Sequence, residues 1–237
     1  MPGPCGFDFL DDGQTFPSQA SACEAQEVLS VCALELLTLE KDEKQRTLAF
    51  LDACSRLGAS LSVLRDGVRG VESRLPRQVG FFSDAEDRKK ATALTCRFLG
   101  ELEEMTVTLR AMDWQFLAVE EERSSRVVRI EAWRSRLLGI RGNGTEPAGE
   151  WLARLDGLVK NDARLCANAR AVRQELQRFC RDTVADFCNR ADRFADLSNQ
   201  GERGSLASLA QLFGELRYAL ERLMEWIEPY GRAEKEE

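Results

Sequence analysis

Between Phe98 and Ile140 the apolar residues return in steps of three and four. Phe98, Leu102, Met105, Leu109, Met112, Phe116 and Val119 form one seam, and Ile130, Trp133, Leu137 and Ile140 continue it in the same register. Such steps place every member on one stripe of an α-helix, and a stripe kept over several heptads needs other helices along its whole length. A helix of about 50 residues would be about 75 Å long. That is several times the ~10–14 residues of an ordinary globular helix. A chain built from such helices cannot close into a ball. It predicts an all-α fold, an elongated antiparallel bundle or coiled coil.

The rest of the chain repeats the pattern. Leu29, Cys32, Leu36 and Leu39 open a first segment whose seam meets Glu43 and Arg46 and resumes at Phe50, Cys54, Leu57, Leu61, Leu64 and Val68. Gly67, Gly70, Pro76 and Gly80 are expected to break or kink it. Ser83-Asp-Ala-Glu is a capping box that opens the second segment. That segment stops at GIRGNGTEP, where Gly142, Gly144 and Pro147 supply turn chemistry. A third segment starts near Ala148. Leu155, Leu158, Leu165, Ala169, Val172, Leu176 and Phe179 mark its stripe, and Val184, Phe187, Ala191 and Phe194 continue it after a small shift. Gly201 and Gly204 interrupt, Ser205 can cap a last helix carrying Leu209 to Trp226, and Pro229 is expected to end it. The expected organisation is a flexible lead over 1–17, one elongated helical domain over 18–230 and an acidic tail over 231–237. Three long helices and a shorter C-terminal one follow. Phe98, Leu102, Met105, Leu109, Met112, Phe116, Leu176, Phe179, Phe187 and Phe194 are the expected packing or dimer seam. The stripes are wide enough to call for a partner chain, a homo- or hetero-dimer through the long helices.

Composition removes several functions. The 237 residues contain no histidine, which excludes His-ligated metals, Ser-His and Cys-His nucleophiles and imidazole acid–base chemistry. Eight cysteines (5, 23, 32, 54, 96, 166, 180 and 188) form no CxxC pair, and several lie on apolar stripes as buried free thiols do. A reducing, cytoplasmic setting is expected. No run approaches the ~18 apolar residues of a membrane span. A net charge of −7 argues against nucleic-acid binding. No Gly-rich phosphate loop, metal-ligand cluster or nucleophile elbow is present. The expectation is a non-enzyme with no cofactor, no metal and no small-molecule substrate.

One region is biased the other way. Residues 123–141 carry arginines 123, 126, 129, 134, 136 and 141 against the single acid Glu131. Arg126, Arg129, Arg134, Arg136 and Arg141 are candidates for contact with anionic phospholipid, where each basic residue adds ~1 kcal/mol. The alternative is a solvated face paired with acids such as Glu120 to Glu122. Arg123 and Arg126 also fall on seam positions, where a polar break can fix register and partner choice at some cost in stability.

The segment RQELQRFCRDTVADF (173–187) resembles the third BAR helix of the sorting nexins. That family has Arg-x-Glu, an apolar residue, then x-Arg-Phe, with Asp-Phe ending eight residues after the first Phe. Arg173, Glu175, Leu176, Arg178, Phe179, Asp186 and Phe187 stand at those spacings. LDACSRLGASLSVL (51–64), ERSSRVVRIEAWRSRLLGIR (122–141) and LERLMEWIEP (220–229) resemble the first helix, the basic second helix and the closing segment, in the family's order. The lipid-binding PX domain of that family has no counterpart in these residues, the tip loop is short, and Gly201 and Gly204 set the last helix apart. The resemblance implies a curved dimer that rests a basic concave face on anionic endosomal membrane, a peripheral location. The second expectation is a structural coiled-coil subunit of a stable assembly (microtubule-associated, kinetochore-like or tethering) without membrane contact.

Overall fold

The computed structural model describes residues 19–75, 85–140, 146–199 and 206–232. All but Leu75 are helical: α1 (Gln19–Arg74), α2 (Ala85–Ile140), α3 (Glu146–Arg178), one π-helical turn (Phe179–Val184), α4 (Ala185–Asn199) and α5 (Leu206–Arg232). The capping residues Ser83 and Ser205, the loop residues Gly142 and Gly144, and residues 1–18 and 233–237 lie outside the described residues.

Ion pairs along the helix edges give the directions. Arg46 meets Glu122, and Arg129 meets Glu35, so α1 and α2 run antiparallel. Arg134 meets Asp156 and Arg173 meets Asp113, so α2 and α3 are antiparallel. Arg154 holds Glu40, which sets α3 parallel to α1. The chain then turns back, and α5 runs against α1 through Arg69–Glu221 at 2.8 Å and Arg217–Glu72 at 3.0 Å. Exposed pairs like these add little energy each. What they record is register. At 56 residues each, α1 and α2 are about 84 Å long if straight.

Two apolar cores divide this length. At one end α1, α2 and α3 form a three-helix bundle around Leu29, Cys32, Leu36, Leu39, Ile130, Leu137, Leu152, Leu155 and Leu158. At the other, α5 joins as a fourth helix, and the core runs from Phe50 to Leu75 on α1 and from Ala91 to Val119 on α2. The centre of that end is an aromatic trio. Phe98, Phe187 and Phe213 come from α2, α4 and α5 with ring centroids 5.1–5.7 Å apart, edge to face, the geometry that ring quadrupoles favour. Every expected seam residue is buried here except Met105, which is half-buried against the same core. The chain's own helices cover the stripe, so these rings are not left for a partner.

The small shift after Phe179 has a structural cause. Phe179 and Val184 are five residues apart and both buried. Five α-helical residues would swing Val184 off the stripe. The wider π turn absorbs the extra residue and returns the stripe to the core. Two expectations are corrected. Gly67 and Gly70 do not break α1, which runs on to Arg74: the apolar stripe continues through Val68 and Val71 and holds the helix together, and Gly67 sits opposite the Phe98 ring. Pro229 does not end α5, which extends to Arg232. A proline costs a helix one backbone bond, and one turn from the end that loss is tolerated.

Candidate functional site: a buried ionic layer under the α1–α2 groove

Between the two cores the stripe positions turn polar. Arg46 of α1, Arg126 of α2 and Asp162 of α3 are all buried, at 9%, 5% and 1% exposure. Asp162 Oδ1 accepts a hydrogen bond from Arg46 Nη1 and lies 3.8 Å from Arg126 Nε. Asp162 Oδ2 is 3.9 Å from Arg123 Nε. Arg46 also donates from Nη2 to the Val119 carbonyl at 2.6 Å, and its Nε is 3.2 Å from Glu122. Arg126 donates from Nη2 to the Leu39 carbonyl at 2.7 Å.

Two buried guanidiniums thus share one buried carboxylate. Desolvation penalises each ion, and only good pairing offsets it. The pairing is incomplete on both sides. Among the described residues, Arg126 Nε and Nη1 and Asp162 Oδ2 have no hydrogen-bond partner, although all three atoms are buried. Burial lowers the Arg126 pKa, Asp162 pulls it back up, and Arg46 lowers it further. Beside them, Cys166 donates its thiol to the Val119 carbonyl at 3.6 Å. Burial raises that thiol's pKa, Asp162 adds to the rise, and the neighbouring arginines oppose it. A thiol kept protonated is a poor nucleophile.

Above this layer a groove of about 610 Å³ opens between α1 and α2. Arg46, Arg56, Arg126 and Arg129 line it, with Asp42 and Glu122 as its acids and the small Ala49 and Ala118 on its walls. These arginines are matched by acids: Arg56 pairs with Asp52, Arg129 with Glu35 and Asp42, and Arg46 with Glu122 and Asp162.

Of the five arginines expected to face a membrane, the four within the described residues do not form one basic face. Arg126 is buried in the ionic layer, which withdraws it from any headgroup contact: its aliphatic stem lies on the seam and its head is taken by Leu39 and Asp162. Arg129 is held by Glu35 at 2.6 Å and lies 3.7 Å from Asp42. Arg134 turns to Asp156 at 3.1 Å. Arg136 stacks over the Trp133 ring at 4.7 Å. Arg141 lies outside the described residues. Arg126 and Arg129 share the groove; Arg134 and Arg136 do not line it. Asp162 escaped notice in the sequence, though an acid three to four residues from both Leu158 and Leu165 stands on the stripe itself. The same holds for Arg46, visible only as an interruption.

Among the described residues no group of three or more potential His, Cys, Asp or Glu ligands could hold a metal ion. Helix α1 contains an 18-residue window of mean hydropathy 1.2, more apolar than the sequence reading allowed. By length and composition it could cross a membrane, but here its apolar side packs in both cores. No family model, no curated protein and no solved structure matches this chain.

Proposed function

We propose that this chain is a non-catalytic helical scaffold whose task is to assemble with another helical chain. The carrying observation is apolar surface left over after the internal seams are filled. On α2, Val107, Trp114 and Val128 stand 63–69% exposed and lie along one helical stripe. On α1, Leu34, Leu37 and Leu48 are also exposed and share one stripe. Single exposed apolar residues are ordinary, but large ones aligned on two long helices mark contact surface. Trp114 is the strongest member, since tryptophan dominates interface energetics. The dispersal of Arg126, Arg129, Arg134 and Arg136 favours protein contact over a basic membrane face. A BAR-type dimer of the sorting nexin kind is one form of such a scaffold, and a subunit of a larger coiled-coil assembly is the other.

Size-exclusion chromatography with light scattering tests the proposal. An elongated dimer that Trp114→Glu converts to a helical monomer supports self-assembly. A chain that aggregates alone and is rescued by co-expression with other subunits supports the larger assembly. A soluble monomer, unchanged by Trp114→Glu in the presence of any candidate helical partner, overturns the scaffold proposal.

A further inference from the structure

Helix α1 keeps one heptad register along its length: Leu36, Phe50, Leu57, Leu64 and Val71, whole heptads apart, are all buried. Its other faces therefore also run along the rod without drifting. The face that α5 covers is marked by Arg69 and Glu72, which pair with Glu221 and Arg217. Tyr230, close to the end of α5 at Arg232, meets the Phe50 ring edge to face. Beyond Phe50, toward the three-helix end, only α1, α2 and α3 build the core, and no described helix lies on this face. Whole-heptad steps back from Arg69 reach Leu48, Lys41 and Leu34; the same steps back from Glu72 reach Lys44 and Leu37. All five side chains are exposed. Among the described residues neither lysine forms an ion pair, and the nearby Glu40 and Asp42 are taken by Arg154 and Arg129.

We infer that this face seats a fourth helix supplied by a different protein chain: an amphipathic helix with apolar side chains against Leu34, Leu37 and Leu48 and acids against Lys41 and Lys44. It would continue the α1–α5 interface and make the three-helix end a four-helix bundle. This rests on the scaffold proposal and names the partner's class. Continuity argues for a helix, because α5 already packs on the same face further along. Charge argues for a different chain. A second copy laid antiparallel, with Leu34 on Leu48, sets Lys41 on Lys41, and a parallel copy in register does the same. Like charges placed together at an interface are costly, whereas acids opposite both lysines are complementary. An anionic bilayer fits less well, since exposed Glu27 stands on the same face and Glu40 and Asp42 flank the lysines.

Two labelled peptides serve as probes, read by fluorescence anisotropy against the full chain at low ionic strength. Both carry residues 206–232, the α5 sequence that already fits this face, and one bears Arg217→Glu. Moved four heptads along α1, positions 217 and 221 meet Lys44 and Lys41 instead of Glu72 and Arg69. The Arg217→Glu peptide should bind wild type at least about tenfold more tightly than the unmodified one, because the latter sets Arg217 on Lys44. Lys89→Gln, an exposed change on α2, should leave that preference intact. Lys44→Glu recreates the cation-then-acid order of Arg69 and Glu72, so it should reverse the preference. Leu37→Ser should weaken both peptides. Equal binding of the two peptides overturns the inference, and so does a preference that Lys44→Glu fails to reverse. A homodimer that Leu37→Glu splits and Trp114→Glu does not would put a second copy on the face and overturn the choice of a different chain. Peptide binding that strengthens when Phe7, Phe9 and Leu10 are replaced by Ser would overturn it in favour of the chain's own first residues. Sedimentation with phosphatidylserine vesicles that Leu37→Ser abolishes would overturn it in favour of a membrane. The predicted reversal in a chain that never assembles would leave the helix seat standing and remove the scaffold. Assembly that depends on Trp114, with no peptide preference, would keep the scaffold and remove the seat.

Discussion

Replacing Asp162 with Asn is the sharpest perturbation of the ionic layer. The amide keeps the side chain's size and can still accept from Arg46, but it removes the one buried negative charge among the described residues. Asp162 is 1% exposed, pairs directly with Arg46, and lies 3.8 Å and 3.9 Å from Arg126 and Arg123. At an effective dielectric constant near 20, a pair of charges at 4 Å interacts by ~4 kcal/mol. Losing one partner of a buried pair typically costs ~3–5 kcal/mol, because the remaining charge stays desolvated. Asp162→Asn should therefore lower unfolding stability by about 3–5 kcal/mol, measured by urea denaturation followed at 222 nm. Arg126→Met goes the other way. It removes the surplus cation and leaves Arg46 and Asp162 paired, so stability should stay within about 1 kcal/mol of wild type or rise. The double variant should recover part of the Asp162→Asn loss, giving a coupling energy of about 0.5–3 kcal/mol. If Asp162→Asn costs less than about 1 kcal/mol, or the two changes are additive, the layer is not desolvated and the account of it fails.

Three further outcomes are expected. Phe187→Ala, at the centre of the aromatic trio and 2% exposed, should cost about 3–5 kcal/mol; a loss below about 1 kcal/mol in the same urea assay would mean that the trio does not form the core of the four-helix end. Gly58→Ala and Gly70→Ala meet nothing within 4 Å within α1, so each should raise the unfolding midpoint by a stability gain of up to about 1 kcal/mol; a loss at Gly70 would restore the idea that this glycine bends the helix. Burial pushes the Cys54 thiol from 9.0 up to about 12. In the unfolded chain the thiol ionises near 9.0, while in the native chain it stays protonated, so the unfolded state gains and stability falls between pH 9 and about 12. Cys54→Ala should flatten that alkaline decline in a pH series of denaturation curves, and an unchanged slope would show that the thiol is hydrated.

The fold class was legible because the heptad period is a property of the chain alone. The seam from Phe98 to Ile140 could only belong to a long helix, and α2 spans it. The polar positions Arg123 and Arg126 were visible as breaks in that seam, and so was Arg46 in the first segment. That they converge was not visible, because convergence depends on the antiparallel register of α1 against α2 and the parallel one of α1 against α3. Asp162 was hidden for a related reason: its charge has meaning only once two arginines from other helices lie beside it. The glycines of α1 were misjudged because propensity weighs them singly, while the apolar stripe on either side outvotes them. The membrane-facing arginines were grouped by nearness in sequence. On a helix, neighbours in sequence point in different directions, and Arg126, Arg129, Arg134 and Arg136 each meet acids, an aromatic ring or a carbonyl there.

The ionic layer is placed so that the rod does not have to melt as one piece. Apolar contacts that would carry cooperativity from the three-helix end to the four-helix end are interrupted at Arg46, Arg126 and Asp162. Opening the three-helix end lets water reach charges that were costly to bury, which offsets part of the loss of its core. Native-state hydrogen exchange should then divide the backbone into two protection classes, with the amides around Leu36, Ile130 and Leu155 exchanging through a partial opening. Those around Leu61, Phe98 and Phe213 should wait for global unfolding. A long helix such as α1 would thus belong to two cooperative units at once, firm from Phe50 onward and yielding toward its start.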